Sequence, residues 1–348
     1  MKKIIKSGIN LTKVYLFKKS VPLNVAYFIT NKCNSNCEYC DHRTKAGSEL
    51  SFEQIKKVVD QFHKLGTIRL NLIGGEPLLR KDIGKVIDYI KSKGIMVHLY
   101  TNGLLIKNRI HELKNLDGIM ISIDGPENMH DKNRGFGSHK KVLEAIKIIK
   151  QHRIPIYTIT VLTKDNSDSL DYISELAKKE KIICSFNIIS EGPNFKNVVE
   201  RKPTREQIIK TFKRILQEKK TNPYIAHSST MLKAIIKDEP RFKPGRQMGI
   251  VKCWWGLTEF NLDANGDLYS CIHLKGREKT LNVIDYSVKE AINYVKGPRT
   301  CKNCNLHCAI EYNFICSLVP EAVFNFLRLM KVQKQIKAVN KNKLRKNL

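Results

Sequence analysis

The sequence lacks any apolar run long enough to cross a membrane. No such run approaches the roughly 18 to 20 residues that a membrane span needs. The opening segment, MKKIIKSGINLTKVYLFKKS, also lacks the continuous apolar core and the small-residue cleavage site of a signal peptide. These absences argue against an integral membrane protein and against a secreted one. We therefore expect a cytosolic protein.

Acidic side chains are scarce relative to basic ones. Asp and Glu number 33 against 62 Lys and Arg, which gives a formal net charge of +29. A field of this sign favours anionic partners, such as nucleotide phosphates, nucleic acid or the anionic face of a membrane. The charge thus predicts that the substrate can be anionic, and a lysine-rich surface kept for solubility is the alternative.

Ten cysteines stand in a composition that is otherwise typical of a globular protein. With 348 residues, 42% of them hydrophobic and 27% charged, the chain is long enough for one large domain or two unequal ones. In a reducing cytosol, ten cysteines argue against a set of disulfides. They favour metal binding or catalysis instead.

Strand-like and helix-like segments alternate from residue 21 to residue 190. Strands are expected at 21–30, 67–73, 95–100, 118–124, 155–162 and 182–189. Helices are expected at 51–66, 82–93, 104–114, 138–151 and 166–180, the first of them opened by the capping pair Ser51 and Gln54. Six strand–helix units in a row imply a parallel sheet, rolled into a barrel or doubly wound.

The alternation of strand-like and helix-like segments ends after residue 190. A Pro-, Gly- and Asn-rich stretch leads into a polar helical connector (191–245), and a cysteine-rich extension (246–318) follows. A basic segment (1–20) precedes the first strand, and a basic helix and tail (319–348) follow the extension. We therefore expect a barrel-type domain at 21–190 with a small extension behind it.

Three cysteines, Cys33, Cys37 and Cys40, lie close together in NKCNSNCEYCDHR with the spacing C-x3-C-x2-C. One interpretation is a zinc site, in which His42 completes a tetrahedron of ligands. Structural zinc sites usually pair C-x2-C knuckles, whereas three thiolates on one loop suit three irons of a cubane cluster and leave the fourth iron open. The spacing favours an iron–sulfur cluster, with zinc as the alternative.

This spacing resembles the hallmark of the radical S-adenosylmethionine (radical SAM) enzymes, which carry C-x3-C-x2-C after the first strand of a barrel. Tyr39 matches the aromatic residue that commonly precedes their last ligand. The resemblance implies a partial (β/α)6 TIM-type barrel, a [4Fe-4S] cluster on Cys33, Cys37 and Cys40, and bound SAM. In such enzymes an injected electron cleaves SAM to a 5′-deoxyadenosyl radical, which takes hydrogen from a substrate. A reductant protein such as flavodoxin or ferredoxin is implied as a partner.

The sequence IGGEP, residues 73–77, follows the second predicted strand. The resemblance implies that Gly74, Gly75, Glu76 and Pro77 bind the methionine end of SAM. Glycines let the backbone approach a ligand closely, and the Glu76 carboxylate is suited to accept hydrogen bonds from an ammonium group. Taken alone, the same residues are typical of a strand-to-helix turn.

Two further segments, YTNG (100–103) and SIDGPENMHDKNRG (122–135), follow the next two predicted strands. They resemble the strand ends with which the family contacts the ribose and the carboxylate of SAM. The matching residues are Thr101, Asn102, Ser122, Asp124 and Arg134. Arg134 is suited to a bidentate pair with the methionine carboxylate, and an ordinary surface arginine is the alternative.

Six cysteines lie in the extension: Cys253, Cys271, Cys301, Cys304, Cys308 and Cys316. Gly266 precedes Cys271 with the spacing G-x4-C, and ANGD indicates a hairpin turn. The group resembles SPASM and twitch extensions, so all six are expected metal ligands and at least one auxiliary [4Fe-4S] cluster is implied. A full SPASM extension usually has seven cysteines, and C-x2-C-x5-C-x3-C where this chain has C-x2-C-x3-C. A zinc knuckle that includes His307 is the alternative.

The resemblance predicts an enzyme that abstracts hydrogen from a substrate with reductively cleaved SAM. Peptides, cofactor precursors and lipid-linked molecules are all open as substrates. About twenty residues precede the first predicted strand, so we expect no fused peptide-recognition domain. A non-catalytic zinc or iron–sulfur protein that binds nucleic acid through its positive charge is the second hypothesis.

Both termini combine apolar residues with lysines. In residues 319–339, one helical face carries Val323, Phe326, Leu327, Met330 and Ile336, and the basic residues elsewhere are Arg328, Lys331, Lys334 and Lys337. Basic amphipathic helices bind anionic membrane surfaces, so peripheral membrane contact is one expectation. A terminal helix packed on the barrel with a solvated basic face is the other.

Overall fold

One sheet of nine strands is the frame of the fold. The computed structural model describes residues 12, 14, 19–41, 47–189, 198–237, 251, 253–295, 304 and 306–345, with the side chains of the last helix described through Ile336. The strands are β1 (Asn24–Thr30), β2 (Arg69–Gly74), β3 (Met96–Thr101), β4 (Gly118–Ser122), β5 (Ile156–Leu162), β6 (Ile183–Ile188), β7 (Glu259–Leu262), β8 (Asp267–Tyr269) and β9 (Leu281–Asn282). Their order in the sheet is β6-β5-β4-β3-β2-β1-β7-β8-β9.

The first six strands confirm the predicted partial (β/α)6 barrel, because each pairs in parallel with its neighbour in the chain. The cysteine-rich extension joins the same sheet. Strand β7 pairs in parallel with β1, from Asn24 opposite Glu259 to Tyr27 opposite Leu262, and β8 and β9 follow in antiparallel pairs. We expected the extension to pack against the ends of the barrel strands, and the structure makes its first strand a continuation of the barrel wall.

Helices connect the strands and cover the outside of the sheet. They are α1 (Phe52–Lys64), α2 (Ile83–Ser92), α3 (Ile106–Arg109), α4 (Glu127–Arg134), α5 (Ser138–Gln151), α6 (Leu170–Glu180), α7 (Val198–Arg201), α8 (Arg205–Glu218), α9 (Ser229–Lys237), α10 (Val288–Val295), α11 (His307–Cys316) and α12 (Pro320–Arg345). Short 3₁₀ turns lie at Pro77–Leu79, Ile110–Leu113 and Ile272–Leu274. In the described part of the chain, no helix combines the length and apolarity that crossing a bilayer requires.

The start of α1 shows how local sequence fixes an element. The Ser51 hydroxyl accepts a hydrogen bond from the Gln54 backbone N–H, and the Gln54 side chain accepts one from the Ser51 backbone, which is the predicted capping box. The inward face of the helix buries Ile55, Val59 and Phe62 in the main hydrophobic core. The cap and the apolar period together place the helix against the sheet.

The barrel strands alternate between a buried outer face and a partly exposed inner face. In β5, Tyr157, Ile159 and Val161 are partly exposed and the residues between them are buried. Strands β4 and β6 show a similar alternation. The outer-face residues pack with the helices in one core, since side chains alternate across a strand. The inner faces therefore line an accessible barrel interior, which we call the lumen.

Helix α11 lies across the open side of the barrel, between β6 and β7. At its start, the His307 Nδ1 accepts a hydrogen bond of 3.0 Å from the backbone N–H of Ile188 at the end of β6. Near its end, the Tyr312 hydroxyl donates to the Thr258 hydroxyl at 3.2 Å, one residue before β7. Part of the extension thus bridges the gap that a six-stranded barrel leaves open.

Helix α12 packs on the body of the protein through polar side chains. Glu321 accepts two backbone hydrogen bonds of 2.9 Å from the first turn of α9, and the Asn325 and Arg328 side chains donate to backbone carbonyls ahead of that helix. Phe326 and Leu327, by contrast, are exposed. The expectation of a solvated basic face is wrong at Arg328, and part of the predicted apolar face meets solvent instead.

Candidate active site

The loop after β1 carries the three cysteines at the carboxyl ends of the barrel strands. Cys37 is buried, and Cys33 and Cys40 are partly exposed. The pKa of the Cys37 thiol is raised to about 11, mainly by burial, while Arg134 lowers it and Cys40 and Cys33 contribute to the rise. His42 lies outside the described residues. Among the residues that are described, no group of three or more His, Cys, Asp or Glu side chains is arranged to hold a single metal ion.

Two of the sulfurs accept hydrogen bonds from the protein. The backbone N–H of Ser35 lies 3.4 Å from the Cys33 Sγ, and an Nη of Arg134 lies 3.9 Å from the Cys37 Sγ. N–H donors and a guanidinium favour the thiolate form over the thiol. Burial outweighs these donors, because the pKa values of Cys33 and Cys37 are both raised, and the donors offset part of that effect.

The glycine pair after β2 packs against the backbone of the cysteine loop. A Cβ at Gly75 would lie 2.1 Å from the Lys32 carbonyl oxygen, and one at Gly74 would lie 2.3 Å from that of Thr30. The backbone N–H groups of Gly75 and Glu76 donate to these same two carbonyls, at 2.9 and 2.8 Å. We expected the glycines to admit SAM, and in this structure the space of their missing side chains is taken by the chain that leads into Cys33.

Glu76 is fully buried and accepts hydrogen bonds from three donors within the protein. Its Oε1 accepts hydrogen bonds from the Leu78 N–H at 3.0 Å and the Thr101 hydroxyl at 2.8 Å, and its Oε2 accepts one from the Asn102 N–H at 2.8 Å. Burial raises the pKa of this carboxyl to about 7, against the effect of the three donors. Each carboxylate oxygen can accept two hydrogen bonds, so the Oε2 keeps one free lone pair.

Asn102 ties the end of β3 to the cysteine loop. Its amide nitrogen donates to the Asn34 side-chain oxygen at 2.8 Å and to the Ser35 hydroxyl at 2.9 Å. The motif predicted Asn102 as a SAM contact and gave no role to Asn34 or Ser35. Both lie between Cys33 and Cys37, which is the one signal in the sequence that marks them as part of the site.

Asp124 and Arg134 form a buried ion pair beside the loop. The Arg134 Nε lies 2.7 Å from the Asp124 Oδ2, and one Nη lies 3.3 Å from the Oδ1. The Tyr39 hydroxyl donates to the Asp124 carboxylate at 3.2 Å and accepts from Arg134. We expected Arg134 to pair with the carboxylate of SAM, and in this structure its bidentate partner is Asp124, with an Nη directed at Cys37.

Backbone and side-chain donors from neighbouring elements fix Asp124. Its Oδ1 accepts the Val161 N–H at 3.1 Å, its carbonyl accepts the Asn166 amide at 2.9 Å, and its own N–H donates to the His130 Nδ1 at 3.1 Å. Burial lowers the pKa of His130 to about 4, so the ring is a neutral acceptor. Neither His130 nor Asn166 was predicted as a site residue, although His130 lies within the predicted segment that contains Asp124.

Two more predicted residues lie at the same rim. Ser122 ends β4 and is partly exposed, and Pro77 is buried at the start of the 3₁₀ turn after β2. The loop is also held from the side, because Glu38 forms an ion pair with Arg201 of α7. Sequence reasoning missed Arg201, because no motif distinguishes it from the other basic residues of the polar connector.

The cysteines of the extension fall into two places. Cys304 and Cys308 lie next to each other, and Cys308 is exposed and close enough to Tyr100 of β3 to contribute to its pKa, which burial raises to about 12. Cys316 is buried and contacts Tyr312 and Thr258 at the other end of α11. Eight helical residues separate Cys308 from Cys316, which corresponds to about 12 Å.

The hairpin β7–β8 brings two further cysteines toward one end. Cys253 precedes β7 and Cys271 follows β8. Because the two strands are antiparallel, the start of β7 and the end of β8 are neighbours. Cys301 lies outside the described residues, so its predicted role as a ligand stays a prediction.

Comparison with known proteins identifies the family. Residues 27–177, which contain the end of β1, the cysteine loop and strands β2 to β5, match the family model described as the Radical SAM superfamily. The chain therefore contains a radical SAM domain. It is therefore a radical SAM enzyme, and the hypothesis of a non-catalytic nucleic-acid-binding protein is set aside.

Similar proteins agree with the assignment. PqqA peptide cyclase of Bradyrhizobium diazoefficiens is 25% identical over 262 residues, which cover 72% of this chain and 67% of the cyclase. AdoMet-dependent heme synthase of Methanosarcina barkeri is 31% identical over 168 residues, covering 46% of this chain and 48% of the synthase. Streptococcus suis SuiB bound to S-adenosylmethionine matches with a TM-score of 0.67 and 17% identity over 81% of this chain and 68% of SuiB, which shows a shared fold. SuiB has also been solved with its precursor peptide SuiA.

Radical SAM enzymes use a [4Fe-4S] cluster and SAM and need a reductant, and the site fits both groups. The loop offers three thiols, two of which already accept N–H hydrogen bonds. The Glu76 Oε2 offers a free acceptor, and the lumen below the loop is accessible. The SPASM-like extension lies against the barrel, as its expected auxiliary cluster requires.

Proposed function

We propose that Cys33, Cys37 and Cys40 ligate the [4Fe-4S] cluster of this radical SAM enzyme, and that its substrate is a peptide bound in the lumen. The observation that carries the proposal is the position of three thiols on one loop, at the carboxyl ends of parallel strands and at the rim of an accessible interior. When bound, the cluster supplies the electron that cleaves SAM. Flavodoxin or ferredoxin is the proposed source of that electron.

The chain's own residues have distinct tasks in this proposal. Glu76 accepts a hydrogen bond from the SAM ammonium group at the free lone pair of its Oε2. Its hydrogen bonds with Thr101 and Asn102 hold the end of β3 in place. Arg134, anchored by Asp124, directs its positive charge at the Cys37 sulfur and stabilises the thiolate. The remaining proposed SAM contacts are Tyr39, Gly74, Gly75, Pro77, Thr101, Asn102 and Ser122.

Support for a peptide substrate comes from the relatives. One curated relative is named for cyclising the PqqA peptide, and SuiB was solved with a precursor peptide. The inner faces of β4 and β5 offer partly exposed apolar side chains, such as Met120, Ile159 and Val161, which suit a peptide side chain. Preference for an anionic peptide, which the net charge suggests, is part of the same proposal.

The test is the formation of 5′-deoxyadenosine. Anaerobically reconstituted enzyme, dithionite and SAM are incubated together, and products are measured by liquid chromatography and mass spectrometry. We expect 5′-deoxyadenosine and methionine in equal amounts. Iron-loaded, folded protein that leaves SAM intact would contradict the proposed site.

We propose Cys253, Cys271, Cys304 and Cys308 as ligands of an auxiliary [4Fe-4S] cluster. The proposal is supported by the antiparallel pairing of β7 and β8, which makes the ends near Cys253 and Cys271 neighbours, and by the influence of Cys304 on the pKa of Cys308. Cys316 is left out of the set, because it is buried at the far end of α11, about 12 Å from Cys308. Cys301 lies outside the described residues and remains a candidate ligand by its spacing alone.

Replacing Glu76 by alanine should weaken the binding of SAM. The loss of a charge-assisted acceptor costs about 1.5 to 3 kcal/mol, which is roughly 10- to 150-fold in affinity. Isothermal titration calorimetry on reconstituted enzyme measures the effect. Ser35→Ala is the matched control, because it removes a contact between the end of β3 and the cysteine loop and keeps the carboxylate. Equal losses in the two variants would mean that Glu76 acts only by holding the loop.

We also propose that α12 binds an anionic membrane surface. Phe324, Phe326 and Leu327 are exposed on this helix, and no acidic residue follows Glu321 in the sequence. Apolar side chains enter the headgroup region, and each lysine near an anionic surface contributes roughly 1 kcal/mol. The helix thus combines the two features that peripheral binding requires.

The triple variant of α12 with Ser at positions 324, 326 and 327 should bind anionic vesicles at least tenfold less tightly than the unchanged protein, since burial of apolar area is lost. Co-sedimentation with phosphatidylserine-containing vesicles measures binding, with phosphatidylcholine vesicles for comparison. Phe136→Ser is the control, because Phe136 is a fully exposed aromatic on another part of the surface. If the triple variant binds the vesicles as tightly as the unchanged protein, the net charge alone accounts for membrane binding.

A further inference from the structure

The middle layer of the lumen contains two asparagines on either side of a small residue. Ala26 of β1 lies opposite Asn71 of β2 on one side and opposite Asn261 of β7 on the other. All three belong to the inner face, since the residues that alternate with them pack in the outer core. Two strand spacings separate the asparagine Cα atoms, or about 9.6 Å. Ala26 is partly exposed, so the lumen opens above its methyl group, and we call this opening the slot.

One polar atom of each asparagine side chain is buried without a hydrogen-bond partner. Asn71 is 7% exposed and Asn261 is 2% exposed, and the Oδ1 of the first and the Nδ2 of the second are buried without a partner. Leaving a buried acceptor and a buried donor unpaired is costly. A fold selected for stability alone would place apolar residues at both positions.

The layer below shows what a satisfied arrangement looks like in the same barrel. Asn24 lies one inner-face position before Ala26, and its side-chain oxygen accepts a hydrogen bond of 2.6 Å from the Arg69 Nε. Asn24 also bonds to Glu259. Polar side chains at the floor of the barrel are thus paired with one another. The unpaired Asn71 Oδ1 and Asn261 Nδ2 lie one inner-face layer nearer the rim.

We infer that Asn71 and Asn261 bind a secondary amide group of the substrate. The Asn71 Oδ1 accepts the amide N–H and the Asn261 Nδ2 donates to the amide carbonyl, so one planar group satisfies both atoms. Carboxylates offer no N–H at neutral pH, and hydrocarbon offers neither contact. The inference rests on the proposed function, because it places part of the peptide in the lumen beneath the cysteine loop.

The position of the slot predicts where the chemistry occurs along the peptide. Asn71 precedes Gly74, at the rim, by three residues of β2, which corresponds to about 10 Å. An extended peptide spans that distance with three residues. We therefore expect the carbon that loses hydrogen to lie about three residues from the amide held by Asn71 and Asn261.

The test uses N-acetylglycine N-methylamide, a minimal peptide with two secondary amides. Its binding to the reconstituted enzyme with SAM is titrated by ligand-observed NMR. We expect Asn71→Leu and Asn261→Leu each to weaken binding at least tenfold. N-acetylsarcosine N,N-dimethylamide, which keeps the carbonyls and lacks every N–H, should bind the unchanged enzyme at least tenfold more weakly. Met96→Leu, an apolar change on the inner face of β3, should leave binding unaltered.

The thermal midpoint provides a second measurement, because a purely structural role of the asparagines predicts a change of the opposite sign. If the asparagines serve a ligand, Asn71→Leu raises the thermal midpoint by roughly 2 to 4 °C, because an unpaired buried amide is removed. If ordered water instead forms hydrogen bonds with the asparagine side chains in the folded protein, Asn71→Leu lowers the thermal midpoint. Asn71→Ser and Asn261→Ser provide smaller polar variants for the binding assay if the leucine variants do not fold.

The outcomes separate this inference from the proposed function. Equal binding of the probe by the unchanged enzyme and by the leucine or serine variants would overturn the inference, as would equal binding of the tertiary amide. If 5′-deoxyadenosine still forms in these cases, the cysteine loop and SAM site stand and only the amide slot fails. Absence of 5′-deoxyadenosine in iron-loaded enzyme would instead overturn the proposed function.

Discussion

Replacing Cys33, Cys37 and Cys40 together with alanine should abolish cleavage of SAM while about four irons per chain remain bound. The three thiols are the proposed ligands of the cluster that reduces SAM, and the cysteines of the extension are separate from them. We expect the rate of 5′-deoxyadenosine formation to fall below detection, at least a thousandfold. Two auxiliary clusters would leave about eight irons.

Iron analysis and the product assay are made on the same reconstituted samples. Cys184→Ala is the matched control, because Cys184 is a fully buried thiol in the main core on β6. It should keep both the full iron content and the activity. A folded triple variant without iron would show that the extension binds no cluster, and the SPASM-like assignment would be withdrawn.

Asp124→Leu should lower the free energy of unfolding by about 3 to 5 kcal/mol. The substitution leaves the Arg134 guanidinium buried without its carboxylate, and an unpaired buried charge is far costlier than a missing pair. It also removes the acceptor of the Val161 N–H. Urea unfolding of the protein, followed by circular dichroism, measures the change.

A double variant tests the cause. Asp124→Leu combined with Arg134→Met removes both charges and should recover most of the lost stability, although iron binding stays impaired because the donor to the Cys37 sulfur is gone. Asp171→Ala, which breaks an exposed ion pair with Arg214, should cost no more than about 1 kcal/mol. A double variant no more stable than Asp124→Leu would mean that the pair is not the source of the effect.

The barrel and the cysteine loop are predictable from sequence because their signals are local. Buried β-branched residues at strand spacing mark β1 to β6, and the box of Ser51 and Gln54 marks the start of α1. The C-x3-C-x2-C spacing lies within eight residues. None of these signals depends on what the rest of the chain does.

The parts that the sequence does not predict depend on distant partners. Helix α4, ENMHDKNR, has no apolar period, yet it carries Arg134 to Asp124. Strand β7 is four residues long, and only its pairing with β1 makes it part of the barrel. In α12, the helical period predicts which residues form the apolar face, but it does not predict which face packs on the protein. Asn325 and Arg328 determine the packed face through hydrogen bonds to residues about a hundred positions earlier.

The parallel pairing of β1 with β7 has a consequence for synthesis on the ribosome. Strand β1 emerges before β7, and its partner at Glu259 is translated more than 200 residues later. At the usual 5 to 20 residues per second, one edge of β1 waits roughly 10 to 50 s for its neighbour. During that time the nascent barrel presents an unpaired strand to other chains, so chaperone binding to the N-terminal half is expected until the extension has been made.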